Sequence, residues 1–117
     1  MEYQFRLNPF DGRHQIQMEY GFEAMGRFIE DELGTDKTKI STLIARLQQG
    51  RDLRFEGHEW ALVVEQGELS VLHHRLDHNE VDLDPDLALD DADASSHCGL
   101  EDGLLLLQAW LDFVAPL

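Results

Sequence analysis

The sequence predicts an α+β domain in which helices pack on one face of an antiparallel sheet, with the element order β-β-α-α-β-β-β-α. Apart from turns, apolar residues recur at every second position in residues 3–20 and 53–73, as they do in half-buried strands. They recur at every third or fourth position in residues 22–33 and 40–47, as they do in amphipathic helices. A last apolar stretch, residues 100–114, completes the order.

The amino-terminal residues predict a β-hairpin. Tyr3, Phe5 and Leu7 alternate with polar residues and so present one apolar face. Residues 8–12 read Asn-Pro-Phe-Asp-Gly, which is typical of a turn. The returning strand repeats the alternation with His14, Ile16, Met18 and Tyr20.

Two amphipathic helices follow the hairpin. The first ends at Gly34, and we expect its outer side to carry Glu23, Arg27, Glu30, Asp31 and Glu32. The second can be capped by Thr35 or Asp36, and Gly50 can adopt the left-handed conformation that ends it. Its apolar stripe consists of Ile40, Leu43, Ile44 and Leu47.

Three more strands and a final helix complete the predicted fold. The strands lie within residues 53–73 and are separated by turns at Gly57 and Gly67. Residues 100–114 are apolar around most of the helix circumference. We therefore expect this last helix to lie in the core or to be covered by a partner.

Negative charge is concentrated in the carboxy-terminal third of the chain. The 117 residues carry a formal net charge of −15, and residues 76–117 contain eleven Asp and Glu but no Lys or Arg. Residues 1–75 hold the other thirteen acids and all nine basic residues. An acidic surface repels nucleic acid and anionic lipid and attracts basic protein surfaces. We therefore expect no direct nucleic-acid binding and no membrane binding.

We predict one cytoplasmic domain that spans residues 1–117, because this length suits a single hydrophobic core. The chain does not begin with the basic and then apolar pattern of a signal peptide. The apolar residues 104–117 fall short of the roughly 20 that a bilayer requires. Cys98 is the only cysteine, so no intramolecular disulfide is expected.

An acidic irregular segment is predicted at about residues 77–96. It alternates acids with apolar residues around Pro85, a composition too apolar for a plain spacer and too charged to bury whole. Acidic runs are often only solvated surfaces, but here the apolar residues can enter pockets of a partner while the acids meet Lys and Arg. The predicted partner-binding residues are Asp82, Leu83, Asp84, Asp86, Leu87, Leu89, Asp90, Asp91 and Asp93.

Residues suited to chemistry occur without a spacing that indicates an active site. His73, His74 and His78 are close in sequence, but their spacing does not bring the three or four ligands of a zinc site together. Cys98 precedes a helix whose positive end can lower the pKa of a thiol, yet the acids of the first helical turn oppose a thiolate. We therefore expect no catalytic residue, no cofactor and no metal site.

Four groups of residues carry a family resemblance that spans nearly the whole chain. They are Met1-Glu2-Tyr3-Gln4-Phe5; Met18, Gly21, Glu23 and Gly26; Gly57-His58-Glu59-Trp60; and Cys98-Gly99-Leu100-Glu101-Asp102 leading to Phe113-Val114. In these residues the chain resembles the YacL family of uncharacterised small bacterial proteins, found mainly in gammaproteobacteria. The resemblance implies a single cytoplasmic domain without an assigned activity, and it assigns no catalytic residues.

The sequence thus favours a non-enzymatic interaction module whose acidic carboxy-terminal third binds a basic surface of a larger protein. We expect that partner to handle DNA or RNA, as the transcription machinery and RNA polymerase do, because such proteins carry basic surfaces. One alternative is a homodimeric structural protein in which two subunits share the last helix. A further alternative is a metal-dependent or thiol-dependent enzyme.

Overall fold

The computed structural model describes residues 1–74 and 94–115. These residues form antiparallel sheets and helices, which confirms the predicted α+β class. The elements are β1 (Tyr3–Leu7), β2 (His14–Met18), α1 (Glu23–Phe28), a π-helical turn (Ile29–Leu33), α2 (Lys37–Leu47), β3 (Leu53–Glu56), β4 (Trp60–Glu65), β5 (Glu68–His73), β6 (Ser95–Gly99) and α3 (Leu100–Val114).

The described strands divide between two sheets, where the sequence predicted one. Strands β1 and β2 form a hairpin of their own, and the other sheet has the order β3-β4-β5-β6. The aromatic side chains of this hairpin pack against α3, and the hairpin does not pair with a described strand of the other sheet. The ring centroid of Phe5 lies 5.3 Å from that of Trp110 and 5.2 Å from that of Phe113.

Strand β6 was not predicted from the sequence. It pairs antiparallel with β5, with Leu69 opposite Cys98 and Val71 opposite Ser96. The predicted irregular segment, residues 77–96, falls mainly outside the described residues, and its last two residues, Ser95 and Ser96, belong to this strand. The residues of β6 have little alternating pattern, so its pairing depends on the partner strand and cannot be recognised locally.

The two predicted amphipathic helices are confirmed. Helix α2 begins at the cap Asp36, whose side chain accepts a hydrogen bond of 3.1 Å from the Lys39 backbone N–H. Beyond its end, Gly50 has a φ of 71°, in the left-handed region. The first helix ends at Gly34, with a φ of 53°. All four residues of the predicted stripe on α2 are buried: Ile40, Leu43, Ile44 and Leu47.

The prediction that Glu32 faces solvent is wrong. Its exposed fraction is 6%, because the first helix continues as a π-helical turn in which the Gly34 N–H donates to the Ile29 carbonyl at 2.7 Å. A π-helical turn contains more residues than an α-helical turn. Glu32 and Leu33 therefore both lie on the buried side.

The Glu32 carboxylate connects the first helix to the β3–β4 turn. It accepts three backbone hydrogen bonds, from His58 at 3.0 Å, Glu59 at 2.5 Å and Trp60 at 3.0 Å. A Cβ atom at Gly57 would overlap this carboxylate, which explains the glycine at this position. The neighbouring Asp31 accepts a hydrogen bond of 3.0 Å from the Trp60 indole N–H.

Helix α3 lies in the core, as the sequence predicted, and packs against α2. Leu106, Leu107 and Trp110 are buried within the main hydrophobic cluster. The Trp110 indole N–H donates to the Gly34 carbonyl at 2.8 Å and so satisfies its polar atom inside the core.

Candidate protein-binding site

Four carboxylates gather where the β4–β5 turn meets the start of α3, and we call them the acidic end. The Leu100 N–H donates to the Gly67 carbonyl at 2.9 Å and so holds the turn against the helix. Gln66 and Gly67 form this tight turn with φ values of 52° and 79°. The residues of the acidic end are Glu65, Glu68, Glu101 and Asp102, and all four are exposed.

The acidic end is not neutralised by the residues that the structure describes. No Lys, Arg or His nitrogen within residues 1–74 and 94–115 forms an ion pair with any of these four carboxylates. Their negative charge is therefore directed at solvent, where it can attract a cationic surface.

Leu105 is an exposed apolar residue beside the acidic end. Its exposed fraction is 61%, whereas Leu106 and Leu107 are buried. Because it lies four residues after Glu101 and three after Asp102, it shares one helix surface with both acids. An exposed leucine flanked by carboxylates suits contact with an apolar patch surrounded by Lys and Arg.

The partner-binding residues predicted from the sequence all lie outside the described residues. They are Asp82, Leu83, Asp84, Asp86, Leu87, Leu89, Asp90, Asp91 and Asp93. A hydrogen bond connects the described residues on the two sides of this set: the His73 N–H donates to the Ala94 carbonyl at 2.8 Å. This junction is at the opposite end of β5 from Glu68, roughly 17 Å away for a six-residue strand. The acidic end shares no residue with the predicted partner-binding set.

Comparisons with known proteins match this chain over nearly its whole length. Residues 1–114 match the family model described as an uncharacterised protein family, UPF0231. The chain belongs to the UPF0231 family. The family called YacL in the sequence analysis is the same one, so the predicted resemblance is confirmed.

This UPF0231 member is similar to curated proteins of Shewanella and Vibrio species. The UPF0231 protein of Shewanella amazonensis is 36% identical over 121 residues, which cover 97% of each chain. The UPF0231 protein of Vibrio campbellii is 30% identical over 120 residues, covering 97% of this chain and 98% of the relative. No solved structure matches the chain. Within residues 1–74 and 94–115, no helix has the length and apolar character needed to cross a membrane.

The thiol of Cys98 is a poor nucleophile in this UPF0231 chain. Burial, which is the largest cause, and the negative charges of Asp102 and Glu68 together raise its pKa to about 11. A thiol with this pKa is almost entirely protonated at neutral pH, whereas thiolate is the reactive form. The predicted opposition between Cys98 and the first-turn acid Asp102 is therefore present in the fold.

Two histidines of this UPF0231 chain, His73 and His74, have contacts that explain them structurally. The ring centroid of His73 lies 5.0 Å from that of Trp60, in an edge-to-face arrangement. The His74 Nε2 atom lies 3.0 Å from the Gly57 carbonyl and 3.6 Å from the Glu56 carboxylate. Across the described ranges, no three His, Cys, Asp or Glu residues are grouped as metal ligands.

Glu101 and Asp102 belong to the acidic carboxy-terminal third, but no sequence pattern marks them as a site. No sequence pattern connects them with Glu65 and Glu68 either, because these lie more than 30 positions earlier. Only the pairing of β6 with β5 brings the two pairs together. One local signal was available: Leu105 faces solvent next to the buried Leu106 and Leu107, and helical spacing separates them once α3 is assigned.

Proposed function

We propose that this protein is a non-enzymatic interaction module that binds a basic surface of a larger protein. The partner class that we propose is a protein that handles DNA or RNA, such as RNA polymerase, because its nucleic-acid contacts require Lys-rich and Arg-rich surfaces. The predicted acidic segment at about residues 77–96 and the acidic end would both contact such a surface. The protein itself would contact neither nucleic acid nor membrane.

The observation that carries this proposal is the exposure of Leu105 beside carboxylates that have no ion pair with described residues. Charge alone would keep a protein soluble, and it needs no partner to do so. An apolar side chain held on a rigid helix within that charge adds buried area to the electrostatic attraction. The raised pKa of Cys98 supports a role that does not depend on a reactive thiol.

Electrostatic attraction predicts a characteristic dependence on salt. With a Debye length of about 8 Å at physiological ionic strength, the acids act over short distances and mainly increase the rate of encounter. Binding should therefore weaken as the salt concentration rises, chiefly through slower association.

The test is affinity purification of the full chain from a nuclease-treated bacterial lysate at increasing salt, followed by a binding assay with each purified basic protein that is recovered. We expect basic proteins at low salt and progressive loss at high salt. Variants that neutralise the two regions separately, Glu101→Gln with Asp102→Asn and Asp82→Asn with Asp84→Asn and Asp86→Asn, should each reduce recovery.

The matched control neutralises two exposed acids elsewhere, with Glu2→Gln and Glu59→Gln, and should leave recovery unchanged. Recovery of no basic protein at low salt would overturn the proposal. Unchanged recovery by both neutralised variants would overturn it as well, since the acids would then have no part in binding.

A further inference from the structure

A groove between α2 and the edge strand β3 is not used by the proposed function, and we call it the α2–β3 groove. It has a volume of about 230 Å³. Small-molecule pockets begin at roughly 300 Å³, so this volume suits a single apolar side chain better than a cofactor. The lining residues are Lys39, Thr42, Leu43 and Arg46 from α2 and Phe55 from β3.

The floor of the groove is apolar and well supported. Leu43 has an exposed fraction of 2% and belongs to the main hydrophobic cluster. Phe55 is half-buried, and its ring packs edge to face against that of Phe28 with 6.1 Å between centroids. Because packing in the core fixes the side chains of both Leu43 and Phe55, the groove is already formed in the absence of a ligand.

The two ends of the groove are cationic. Lys39 and Arg46 are exposed and lie seven residues apart, which is about 10 Å along an α-helix. Neither forms an ion pair with a residue that the structure describes. Between Lys37 and Arg51 the chain has no Asp or Glu, although its net charge is −15. The groove is therefore a positively charged site on an acidic protein.

Strand β3 is at the edge of its sheet. The strand order β3-β4-β5-β6 leaves the outer edge of β3 without a partner among the described strands. Such an edge can accept an added strand, and a groove between an edge strand and a helix gives the added strand's side chains a place to bind.

We propose that the α2–β3 groove binds an extended acidic segment of a partner protein by strand addition. The backbone of that segment pairs with β3, one apolar side chain enters between Leu43 and Phe55, and flanking carboxylates contact Lys39 and Arg46. In an extended chain, residues two positions before and after the apolar residue project to the same side and lie about 13 Å apart. The flexible Lys and Arg side chains reach this separation.

A polypeptide fits this groove better than a nucleic acid does. Two cations match two carboxylates, whereas a continuous phosphate chain would be repelled by the acids of a chain with a net charge of −15. The apolar floor also favours an aliphatic side chain over a phosphate.

Fluorescence anisotropy of a labelled peptide added to the full chain tests the proposal. The probe is a nine-residue peptide with Asp-Ser-Leu-Ser-Asp at its centre, and we expect it to bind. Lys39→Gln and Arg46→Gln should each weaken binding about threefold, and together about tenfold. Replacing the Leu of the peptide by Ser should weaken it by roughly tenfold or more.

Control variants and a map of the contact make the test specific. Lys37→Gln and Arg51→Gln remove cations of the same segment that do not line the groove and should change affinity less than about twofold. Circular dichroism checks that every variant is folded. Hydrogen exchange should show new protection in β3, Leu53–Glu56, when the peptide is bound.

Four results would overturn the proposal. The first is the absence of peptide binding, and the second is equal binding of the peptide that lacks Leu. The third is tighter binding of a single-stranded DNA of nine nucleotides. The fourth is a dimer, seen by light scattering, that dissociates in the Lys39→Gln/Arg46→Gln variant and so assigns the groove to a second copy. The acidic end is not part of this groove, so the proposed function can fail or stand independently.

Discussion

Replacing Glu32 by Ala should destabilise the fold more than any other single carboxylate substitution among the described residues. Three backbone N–H groups would lose a charged acceptor, and hydrogen bonds to charged groups contribute about 1.5–3 kcal/mol each. Water can replace the carboxylate at exposed His58 and Glu59, but Trp60 is 1% exposed. We therefore expect the free energy of unfolding to fall by about 3–4 kcal/mol, less than the full sum.

Urea unfolding followed by circular dichroism measures this loss, since a domain of this size has a total stability of about 5–15 kcal/mol. Glu59→Ala is the matched control, because it removes an exposed carboxylate at the same turn while its backbone N–H remains bonded to Glu32. It should change stability by less than about 0.5 kcal/mol. A loss below about 1 kcal/mol in Glu32→Ala would refute the reasoning.

A second substitution tests the close approach of Gly57 to the same carboxylate. Gly57→Ala should cost about 2 kcal/mol, because its Cβ displaces the Glu32 carboxylate from its hydrogen bonds. In the Glu32→Ala background the overlap is gone, so the added cost should be less than about 0.5 kcal/mol. Equal costs in the two backgrounds would show that Gly57 and Glu32 are not coupled.

The pH dependence of Glu32 has a definite sign. Burial by itself raises the pKa of this carboxyl, but the hydrogen bonds from Glu59, His58 and Trp60, together with the charge of Lys39, lower the pKa below its ordinary value of 4.5. A lowered pKa in the folded state means that the carboxylate stabilises the fold above pH 4.5 and that this contribution disappears as the pH falls through the folded pKa. The difference in the free energy of unfolding between the unsubstituted protein and Glu32→Gln should therefore be constant from pH 7 to about 5 and become smaller below pH 5.

Three further predictions concern single sites. Ser96→Ala should stabilise the fold by up to about 1 kcal/mol in urea unfolding, because the buried Ser96 hydroxyl has no hydrogen-bond partner among the described residues; a loss of stability would show that the hydroxyl does have a partner. Alkylation of Cys98 by iodoacetamide in the folded protein should be far slower at pH 7 than that of a free thiol and accelerate towards pH 11; rapid reaction at pH 7 would contradict its raised pKa. Gly103→Ala should destabilise the protein by about 1–3 kcal/mol, since its Cβ would lie 2.9 Å from Leu69 Cδ1 in the core; an unchanged midpoint would show that Leu69 moves aside.

Most elements of the fold were predictable because their hydrophobic period is local. Helix α2 was predicted with its cap and its buried stripe, and helix α3 was predicted from its apolar composition. Strands β1 to β5 follow from alternating side chains. Strand β6 was missed because Ser95, Ser96 and His97 have no strand pattern, and the backbone of β5 supplies their pairing.

The candidate site was predictable only in its charge. The predicted acids at residues 82–93 lie outside the described residues, so their binding to a partner stays a prediction. The gathering of Glu68 with Glu101 depends on non-local strand pairing, and no local pattern contains that information. Cys98 illustrates the same limit, since its raised pKa comes from burial and from two acids that the fold brings near.

By itself the sequence determined the α+β class, the family and the concentration of negative charge, because composition and short-range periodicity are properties of neighbouring residues. The tertiary structure decided which polar groups those elements bury. Glu32 is charged, and a charged residue ordinarily faces solvent. The π-helical turn places it on the buried side, where its carboxylate accepts hydrogen bonds from three backbone N–H groups of the β3–β4 turn. Contacts of this kind join residues 26 to 28 positions apart, so their free energy exists only in the folded chain.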